Sequence, residues 1–308
     1  MEAKIDVNIL NRANTETEEA ISPWKIAWKR LKRNKLAISG LFVLLFLAGA
    51  AILGPFISPY KMDGLDMGNM GLTPSLQHLL GTDDIGRDIL TRLMYAGRIS
   101  LTVGVVAITI SILIGSTLGV IAGYYGGIVD SIIMRVVDII LCFPYLAILI
   151  VLSAIMSDLK VNPDQRIFVV MFMIGCISWP GLCRIIRGQI LSFREQEFMQ
   201  AAEALGLRDR RKMFRHLLPN TFATVIVYGT LGIGEAILAE STLSFLGLGV
   251  TPPTPSWGQM VQVVNDLYTI QFLPWKWIPP GLCILLTVLS INLFGDGLRD
   301  ALDPKLKS

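Results

Sequence analysis

Long apolar runs alternate with shorter polar segments along almost the whole chain. The first apolar run begins after Lys35 and continues without a charged residue from Leu36 to Tyr60. It is too long for the hydrophobic region of a signal peptide and long enough to cross a bilayer as a helix. Five further apolar segments follow. The pattern predicts six membrane-spanning helices, at about 36–58, 99–125, 131–156, 167–186, 220–243 and 277–295.

Proline and glycine indicate where the predicted spans bend or pack closely. Pro144 is expected to kink the third span, and the tripeptide Trp179–Gly181 is expected to interrupt the fourth. Small residues in the second span recur at a spacing that allows close helix packing. They are Gly104, Gly115, Gly119 and Gly123.

We divide the chain into five parts. Most of the candidate chemistry lies in the first external loop and in the loop between the fourth and fifth spans, which belongs to the core. The external loop is expected to contain an amphipathic helix at 85–93, since its apolar residues share one helical face. The parts are a tail with a basic segment (1–35), the first span (36–58), the external loop (59–98), a core of five spans (99–303, with the loop at 187–219) and a tail (304–308).

The basic segment before the first span contains tryptophan and no acidic residue between Trp24 and Lys35. Such a stretch is typical of an amphipathic helix that lies on the cytoplasmic membrane surface. It also serves as a charge anchor for the first span. The two roles are compatible, and the sequence does not choose between them.

Composition excludes several classes of protein. Hydrophobic residues make up 53% of the chain and charged residues only 17%, which is too apolar for an ordinary soluble domain. The net charge of +3 is small and lies in separate blocks, so a nucleic-acid surface is not expected. The four cysteines show no CxxC spacing, and neither a zinc site nor a disulfide framework is predicted.

The distribution of basic residues predicts the orientation of the chain. With six spans and the N-terminus inside, the internal segments hold 20 of the 27 Lys and Arg residues. This asymmetry places both termini and the loop at 187–219 in the cytoplasm. The cations of the external loop lie among acidic residues, and we expect them to form local ion pairs.

The loop at 187–219 has the pattern of two short helices separated by a glycine. Good helix formers run from Phe198 to Leu205, and Gly206 follows, where a helix end favours positive φ. A second helix is predicted at 207–217, and Pro219 stands where the fifth span begins. A helix with small residues at its tip fits a groove in a partner protein.

This spacing resembles the coupling loop of the inner-membrane permease subunits of ABC importers. That loop reads Glu-Ala-Ala, three residues, Gly, nine residues, Ile, one residue, Leu-Pro. Ala201, Ala202 and Gly206 match it, whereas Gln200 replaces the Glu and His216 replaces the Ile. The resemblance implies contact with a cytoplasmic ATPase by the following residues: Gln200, Ala201, Ala202, Glu203, Leu205, Gly206, Arg210, His216 and Pro219.

Further motifs resemble the second permease subunit of the dipeptide, oligopeptide and nickel importers. They are the stretches at 78–88, 240–249, 252–258 and 297–304. The resemblance implies a type I ABC importer permease fold in the cytoplasmic (inner) membrane of a bacterium or archaeon. It also implies a homologous sister permease, two cytoplasmic ATPases and an external solute-binding protein. Membrane lipid surrounds such a subunit.

The sequence has no GxxxxGK[ST] phosphate loop, so we do not expect this chain to bind ATP or to act as an enzyme. ATP and magnesium would belong to the partner ATPases, and no cofactor or metal is predicted here. A membrane-embedded enzyme is disfavoured, since no HExxH, paired His or GxSxG occurs. A stand-alone channel or secondary transporter is the other rival, and the coupling loop argues against it.

Acidic residues within the spans invite a functional interpretation because they are costly in a membrane. Asp138 follows Arg135 by three residues, and a local ion pair is expected. On the fifth span, Glu235 and Glu240 either line the translocation path, where they would meet an ammonium or a cation, or hold the span to its neighbours or to the sister permease. The candidate pathway or interface residues are Glu235, Glu240, Ser241 and Ser244.

The external segments are predicted to form the docking surface for the binding protein. The candidates are Asp83, Asp84, Arg87, Pro253 and Trp257. A lone His78 raises the question of a nickel ligand, but a structural role is favoured. The expected substrate is a di- or oligopeptide, with nickel or a nickel complex, or glutathione, as alternatives within the family.

Overall fold

The structure, a computed structural model, describes residues 23–303. Residues 1–22 of the predicted N-terminal part and the predicted tail at 304–308 lie outside this range. Helices form most of the described chain. They are α1 (Pro23–Arg33), α2 (Lys35–Ile57), α3 (Ile89–Tyr125), α4 (Gly127–Cys142), α5 (Tyr145–Asp158), α6 (Pro163–Arg194), α7 (Glu197–Ala204), α8 (Asp209–Arg211), α9 (Leu218–Asn220), α10 (Phe222–Phe245), α11 (Trp257–Val261), α12 (Leu267–Phe272) and α13 (Pro274–Leu302).

Within residues 23–303, five helices are long and apolar enough to cross a membrane: α2, α3, α6, α10 and α13. The pair α4 and α5 makes a sixth crossing if the two helices are taken together. No strand occurs in the described range. The predicted fold class, an all-α polytopic membrane protein, is confirmed. The side on which the termini lie stays a prediction.

The kink predicted at Pro144 is a complete break between α4 and α5, which meet at 83°. Proline has no amide N–H and cannot continue the hydrogen-bond ladder of α4. Phe143, the residue before it, takes an extended backbone with φ −93° and ψ 142°, as residues before proline usually do. The chain therefore leaves α4 and starts a new helix one residue after the proline.

Two other predicted boundaries are wrong. Residues 85–88 form a turn, because the Asp83 carboxylate accepts from the amides of Ile85 and Arg87 at 3.0 Å each. The predicted amphipathic helix at 85–93 is therefore a turn followed by the start of α3. The predicted interruption at Trp179–Gly181 is also absent, since α6 runs through Pro180 without a break.

The longest seam of the bundle joins α3 to α6, and glycines make it possible. A Cβ atom added at Gly115, Gly119 or Gly123 would lie only 2.7 to 2.8 Å from the nearest atom of α6. Gly104 makes the same approach to α10, at 2.8 Å from Ile237. The close packing predicted from the glycine spacing is confirmed, and α3 and α6 approach each other closely at these glycines.

The basic segment forms the amphipathic helix α1, which packs on the end of α13. Its buried residues Ala27 and Leu31 contact Ala301, while its lysines point to the outside. Arg30 donates a hydrogen bond to the carbonyl oxygen of Asp303 at 3.2 Å. The helix is thus fixed to the bundle on its apolar side, and its basic side remains open.

Candidate functional site

Helix α7 ends in a turn that only a residue with positive φ allows. Gly206 has φ +67° and donates its amide to the Glu203 carbonyl at 2.9 Å. The next amide, of Leu207, donates to the Ala202 carbonyl at 3.2 Å. These two bonds form the Schellman motif that terminates helices. A Cβ at Gly206 would meet no atom within 4 Å, so the backbone conformation, rather than space, requires glycine.

The two faces of α7 differ in burial. Met199 and Ala202 are buried against the bundle, whereas the opposite face is open. Leu205, at the tip of the helix, leaves 78% of its surface exposed. The exposed residues predicted to contact a partner are Gln200, Ala201, Glu203, Leu205, Gly206, Arg210 and Pro219. Of the predicted set, only Ala202 and the partly buried His216 fall outside this surface.

An apolar cluster anchors this exposed surface, which we call the α7 surface, to the two central helices. Met199 packs with Met213 and Leu217 of the following segment. The same cluster includes Val120 of α3 and Ile190 of α6. Helix α7 is therefore anchored to both α3 and α6, which are themselves packed tightly.

A polar link adds to this anchor. The hydroxyl of Tyr124, near the end of α3, donates to Asp209 at 2.6 Å. The ammonium of Lys212 lies 3.1 Å from Asp209, 3.7 Å from Glu203 and 5.3 Å from the centroid of the Tyr124 ring. The hydrogen bond from the Tyr124 hydroxyl holds the pKa of Asp209 below its usual range, and the hydrogen bond from Lys212 lowers it further. Lys212 thus connects α7 to the end of α3.

The helix predicted at 207–217 is present but irregular. After α8, residues Lys212–Leu217 form a π-helical turn, and the amide of Leu218 donates to the Met213 carbonyl five residues earlier. Pro219 follows at once and has no amide to donate. His216 lies within this turn, and its Nε2 atom is buried without a hydrogen-bond partner.

Three of the four candidate pathway residues lie together near the end of α10. Glu240 is completely buried and accepts hydrogen bonds from Ser244 at 2.6 Å and from Ser100 of α3 at 3.3 Å. Ser241 is buried beside them. Glu235 stands apart, one and a half turns away on the same helix, and is exposed.

The network around Glu240 also holds the segment after α10. Ser244 accepts from the amide of Val250 at 3.0 Å, and Ser100 accepts from the amide of Trp257 at 3.1 Å. One carboxylate therefore joins α10, α3 and the polar segment between α10 and α13. In this conformation Glu240 is not open to a solute, whereas Glu235 is accessible.

The predicted docking residues separate into exposed and buried groups. Asp84 and Pro253 are exposed, while Asp83 and Arg87 are mostly occupied by their own ion pair at 2.7 Å. Trp257 requires correction. It is 2% exposed and donates its indole N–H to the Leu93 carbonyl at 3.1 Å, so it belongs to the core.

His78 is placed by local contacts. Its ring stacks on Tyr60 with centroids 4.6 Å apart, and its Nδ1 lies 3.0 Å from Asp88. Asp88 also caps α3 by accepting from the Thr91 amide at 2.8 Å. Among residues 23–303, no group of three or more His, Cys, Asp or Glu side chains is arranged to hold a metal ion.

The expected pair of Asp138 with Arg135 is also corrected. Asp138 instead meets Arg184 of α6 at 2.5 Å. A second pair, between Asp130 and Arg187, joins the same two helices at 2.5 Å. Helix α4 is therefore tied to α6 across the bundle, and a local pairing rule based on sequence spacing did not identify the partner.

Sequence reasoning missed three residues of the site: Ser100, Tyr124 and Lys212. Ser100 is a hydroxyl in a long uncharged run, and such residues often bridge helices, so this signal was available. Lys212 follows Arg210 and Arg211 in the chain, and nothing in the sequence distinguishes it from its neighbours. Its importance comes from the fold, which buries it over Tyr124.

Comparison with known families covers most of the chain. Residues 115–308 match the family described as binding-protein-dependent transport system inner membrane component. Residues 22–74 match the N-terminal TM domain of oligopeptide transport permease C. Both the α7 surface and the Glu240 network lie within the first of these, apart from Ser100.

Several known proteins are similar along nearly their whole length. A dipeptide transport system permease protein of Alkalihalophilus pseudofirmus is 44% identical over 94% of this chain and 92% of its own. One of Bacillus subtilis is 43% identical over 96% of this chain and 90% of its own. A glutathione transport system permease protein of Pectobacterium atrosepticum is 39% identical over 93% of each.

Proposed function

Because the chain belongs to the family of binding-protein-dependent inner-membrane permeases of ABC importers, we propose that it forms half of a translocation pathway for di- or oligopeptides. The two dipeptide permeases, at 43% and 44% identity, support peptides as the substrate class. The other half of the pathway is a homologous sister permease, and an external solute-binding protein delivers the peptide. The chain lies in the cytoplasmic membrane with both termini inside.

The α7 surface is the observation that carries this proposal. It presents the exposed Leu205 and small residues on one side and is anchored to α3 and α6 on the other. A short helix of this shape enters a groove in a partner. The partner is a cytoplasmic ATPase that holds ATP and magnesium, and no cofactor is needed in this chain.

Energy then passes from the ATPase to the spans by contact. When the ATPases close on ATP, they carry α7 with them, and α7 carries the paired helices α3 and α6. The spans change between inward- and outward-facing states as rigid bodies. The ATPase must bind the two states with different affinity, because a ligand shifts an equilibrium only by that difference.

A second candidate substrate has a specific observation in its favour. The glutathione permease of Pectobacterium atrosepticum is 39% identical, only slightly less than the dipeptide permeases. Glutathione is itself a small peptide, so both candidates share backbone amides and carboxylates. Nickel or a nickel complex is the remaining alternative. Uptake of labelled dipeptide, glutathione and nickel by a deletion strain with and without this chain distinguishes the three.

Replacement of Gly206 by valine tests the coupling role. Valine at positive φ is strained, at a cost of about 1–2 kcal/mol, so the turn after α7 will shift. We expect normal insertion, loss of the co-purified ATPase and a fall in dipeptide uptake of about tenfold or more, since a shift of ~1.4 kcal/mol in a binding step is tenfold. Gly127→Val is the matched control.

Gly127 also has positive φ, +52°, and open space around its Cβ position. It lies at the same end of α3 as α7 but outside the α7 surface. Gly127→Val should therefore carry similar strain and retain both uptake and the ATPase. Full uptake by Gly206→Val, or a native chain that never brings down an ATPase from its own membranes, would refute the proposed function.

A further inference from the structure

Three cations converge on a small cavity at the end of α3 that is opposite the α7 surface. Arg87, Arg92 and Lys276 line the cavity, whose volume is about 50 Å³. Asp83 is the one carboxylate among its lining residues. The cavity lies between the turn that precedes α3 and the segment from α11 to the start of α13.

Arg92 is buried, and its two ion pairs are long. Its side chain is 3% exposed, and its Nη1 atom makes no hydrogen bond. The nearest carboxylates lie beyond hydrogen-bond range, with Asp63 at 3.8 Å and Asp83 at 3.9 Å. The Asp83 carboxylate is held by the Arg87 side chain at 2.7 Å and by the amides of Ile85 and Arg87. A buried guanidinium in this condition is costly unless a further acceptor arrives.

Besides Asp83, the carboxylates near these cations lie outside the cavity lining: Asp84 and Asp266 beside Lys276, and Asp63 beside Arg92. Lys276 is buried, and its partner Asp84 is largely exposed and does not line the cavity. Asp63 is also about half exposed, so solvent weakens both of these pairs.

We propose that this cavity binds one carboxylate group, with Arg92 as the main donor, and that transported peptides supply it through their C-terminus. A volume of about 50 Å³ holds a carboxylate but not a peptide chain. Arginine matches a carboxylate with two parallel N–H donors. The Gln259 side chain also lines the cavity, with an unpartnered Oε1, and its amide can turn to donate.

This proposal rests on the proposed function in two respects: that this end of α3 faces the outside, and that the substrate is a peptide. It assigns a place outside the α7 surface and outside the Glu240 network where the subunit itself recognises the substrate. The recognised feature is the terminal charge common to all peptides. Recognition at this place is therefore independent of the peptide's side chains.

Protection of a cysteine placed at the cavity tests the proposal in the complete importer. Val263 lines the cavity and is partly buried. In membranes with Val263→Cys, the rate of reaction with methyl methanethiosulfonate, which is small and uncharged, is measured with dialanine, with acetate and with dialanine amide. Dialanine should slow the reaction about threefold or more when it occupies most sites, and the amide, which lacks the carboxylate, should not.

Variants of the cations identify the donor. Arg92→Gln combined with Val263→Cys should abolish protection. Arg92→Lys in the same background should retain part of it, because lysine keeps the charge without the planar fork. Lys61→Gln removes a cation from the same external loop but does not line the cavity, and protection should persist. If Arg92→Gln fails to insert, Lys276→Gln takes its place, with the same expected loss.

Acetate identifies the source of the carboxylate. Stronger protection by dialanine than by acetate supports the peptide, whereas equal protection supports a site for any carboxylate group. Unchanged rates with both acids, or equal protection by dialanine amide, overturn the proposal. The same membranes are assayed for co-purified ATPase: absence of the ATPase contradicts the proposed function, and presence of it without protection contradicts the carboxylate site alone.

Discussion

The carboxylate of Glu240 is completely buried among hydroxyl groups that have few other acceptors. Glu240→Ala removes the acceptor for both Ser244 and Ser100 and leaves a void. We expect the free energy of unfolding of the purified complex to fall by about 2–4 kcal/mol, the sum of unsatisfied polar groups and a small cavity. Thermal unfolding of the complex in detergent measures this loss.

Two variants make the interpretation specific. Glu240→Gln keeps an oxygen acceptor and nearly the same volume, so its loss should be clearly smaller. Glu235→Ala changes an exposed carboxylate on the same helix and should be close to neutral. Equal destabilisation by Glu235→Ala and Glu240→Ala would contradict the structural role assigned to the buried carboxylate.

Residue-level predictions succeeded where chemistry is local and failed where a partner is distant in sequence. The positive φ of Gly206 follows from helix-capping rules alone, and the Asp83–Arg87 pair follows from proximity. Asp138 was assigned to Arg135, three residues away, but its partner Arg184 comes from another helix. Only the packing of α4 against α6 brings these two side chains together, and a single sequence contains no measure of it.

The contacts of Arg98 also join residues that are distant in sequence. Pro55 has no amide and leaves the Ala51 carbonyl without its helical partner. Arg98 of α3 donates to that carbonyl at 2.8 Å and to the Ile52 carbonyl at 2.5 Å. The sequence shows both a proline in a span and a charge near a span. Only the structure shows that the arginine donates to the carbonyl that the proline leaves without a partner.

At the level of elements, the seam between α3 and α6 predicts whether a glycine substitution lowers or raises stability. A Cβ at Gly119 would lie 2.8 Å from the Cys183 carbonyl, whereas a Cβ at Gly49 of α2 would meet nothing within 4 Å. Gly119→Ala should destabilise the protein by about 1–3 kcal/mol through overpacking. Gly49→Ala should be neutral or stabilising by up to about 1 kcal/mol, since alanine favours helix. Thermal unfolding of both variants checks the difference.

The prediction requires that Gly119→Ala lowers the stability and that Gly49→Ala does not. If both variants gain stability, the seam is looser than its geometry indicates, and α3 and α6 do not move as one unit. If both lose stability, glycine has a general role in these helices that close packing does not explain.

Apolar runs located most of the spans, because a bilayer demands a minimum length of apolar helix. Their ends were less well predicted. The start of α3 was missed since Arg92 and Arg98 suggested a polar loop, yet both are buried or hydrogen-bonded within the bundle. The break at Pro144 was located correctly, but its angle depends on what α5 packs against.

At the scale of the whole molecule, α3 connects the two ends at which partners are expected. It carries the carboxylate cavity near Ile89, the Ser100 bridge to Glu240 and the Tyr124 link to the α7 surface. Helix α6 follows it closely through the glycine seam. One continuous helix, and not a chain of flexible contacts, therefore joins the anchor of α7 to the opposite end of the bundle.

This continuity makes the topology testable with two cysteines. Helix α3 has 37 residues, so its ends lie about 55 Å apart at 1.5 Å per residue, more than the thickness of a bilayer. Met70 lies near its first end, since it precedes Gly71, whose amide donates to the Asp83 carbonyl. Arg210 lies near its last end, since it follows Asp209, which accepts from Tyr124. An impermeant maleimide added to intact cells should label Met70→Cys and not Arg210→Cys, with the parent chain as background, and lysis should expose the second. The reverse pattern would invert the proposed orientation, and labelling of both from outside would contradict a spanning α3.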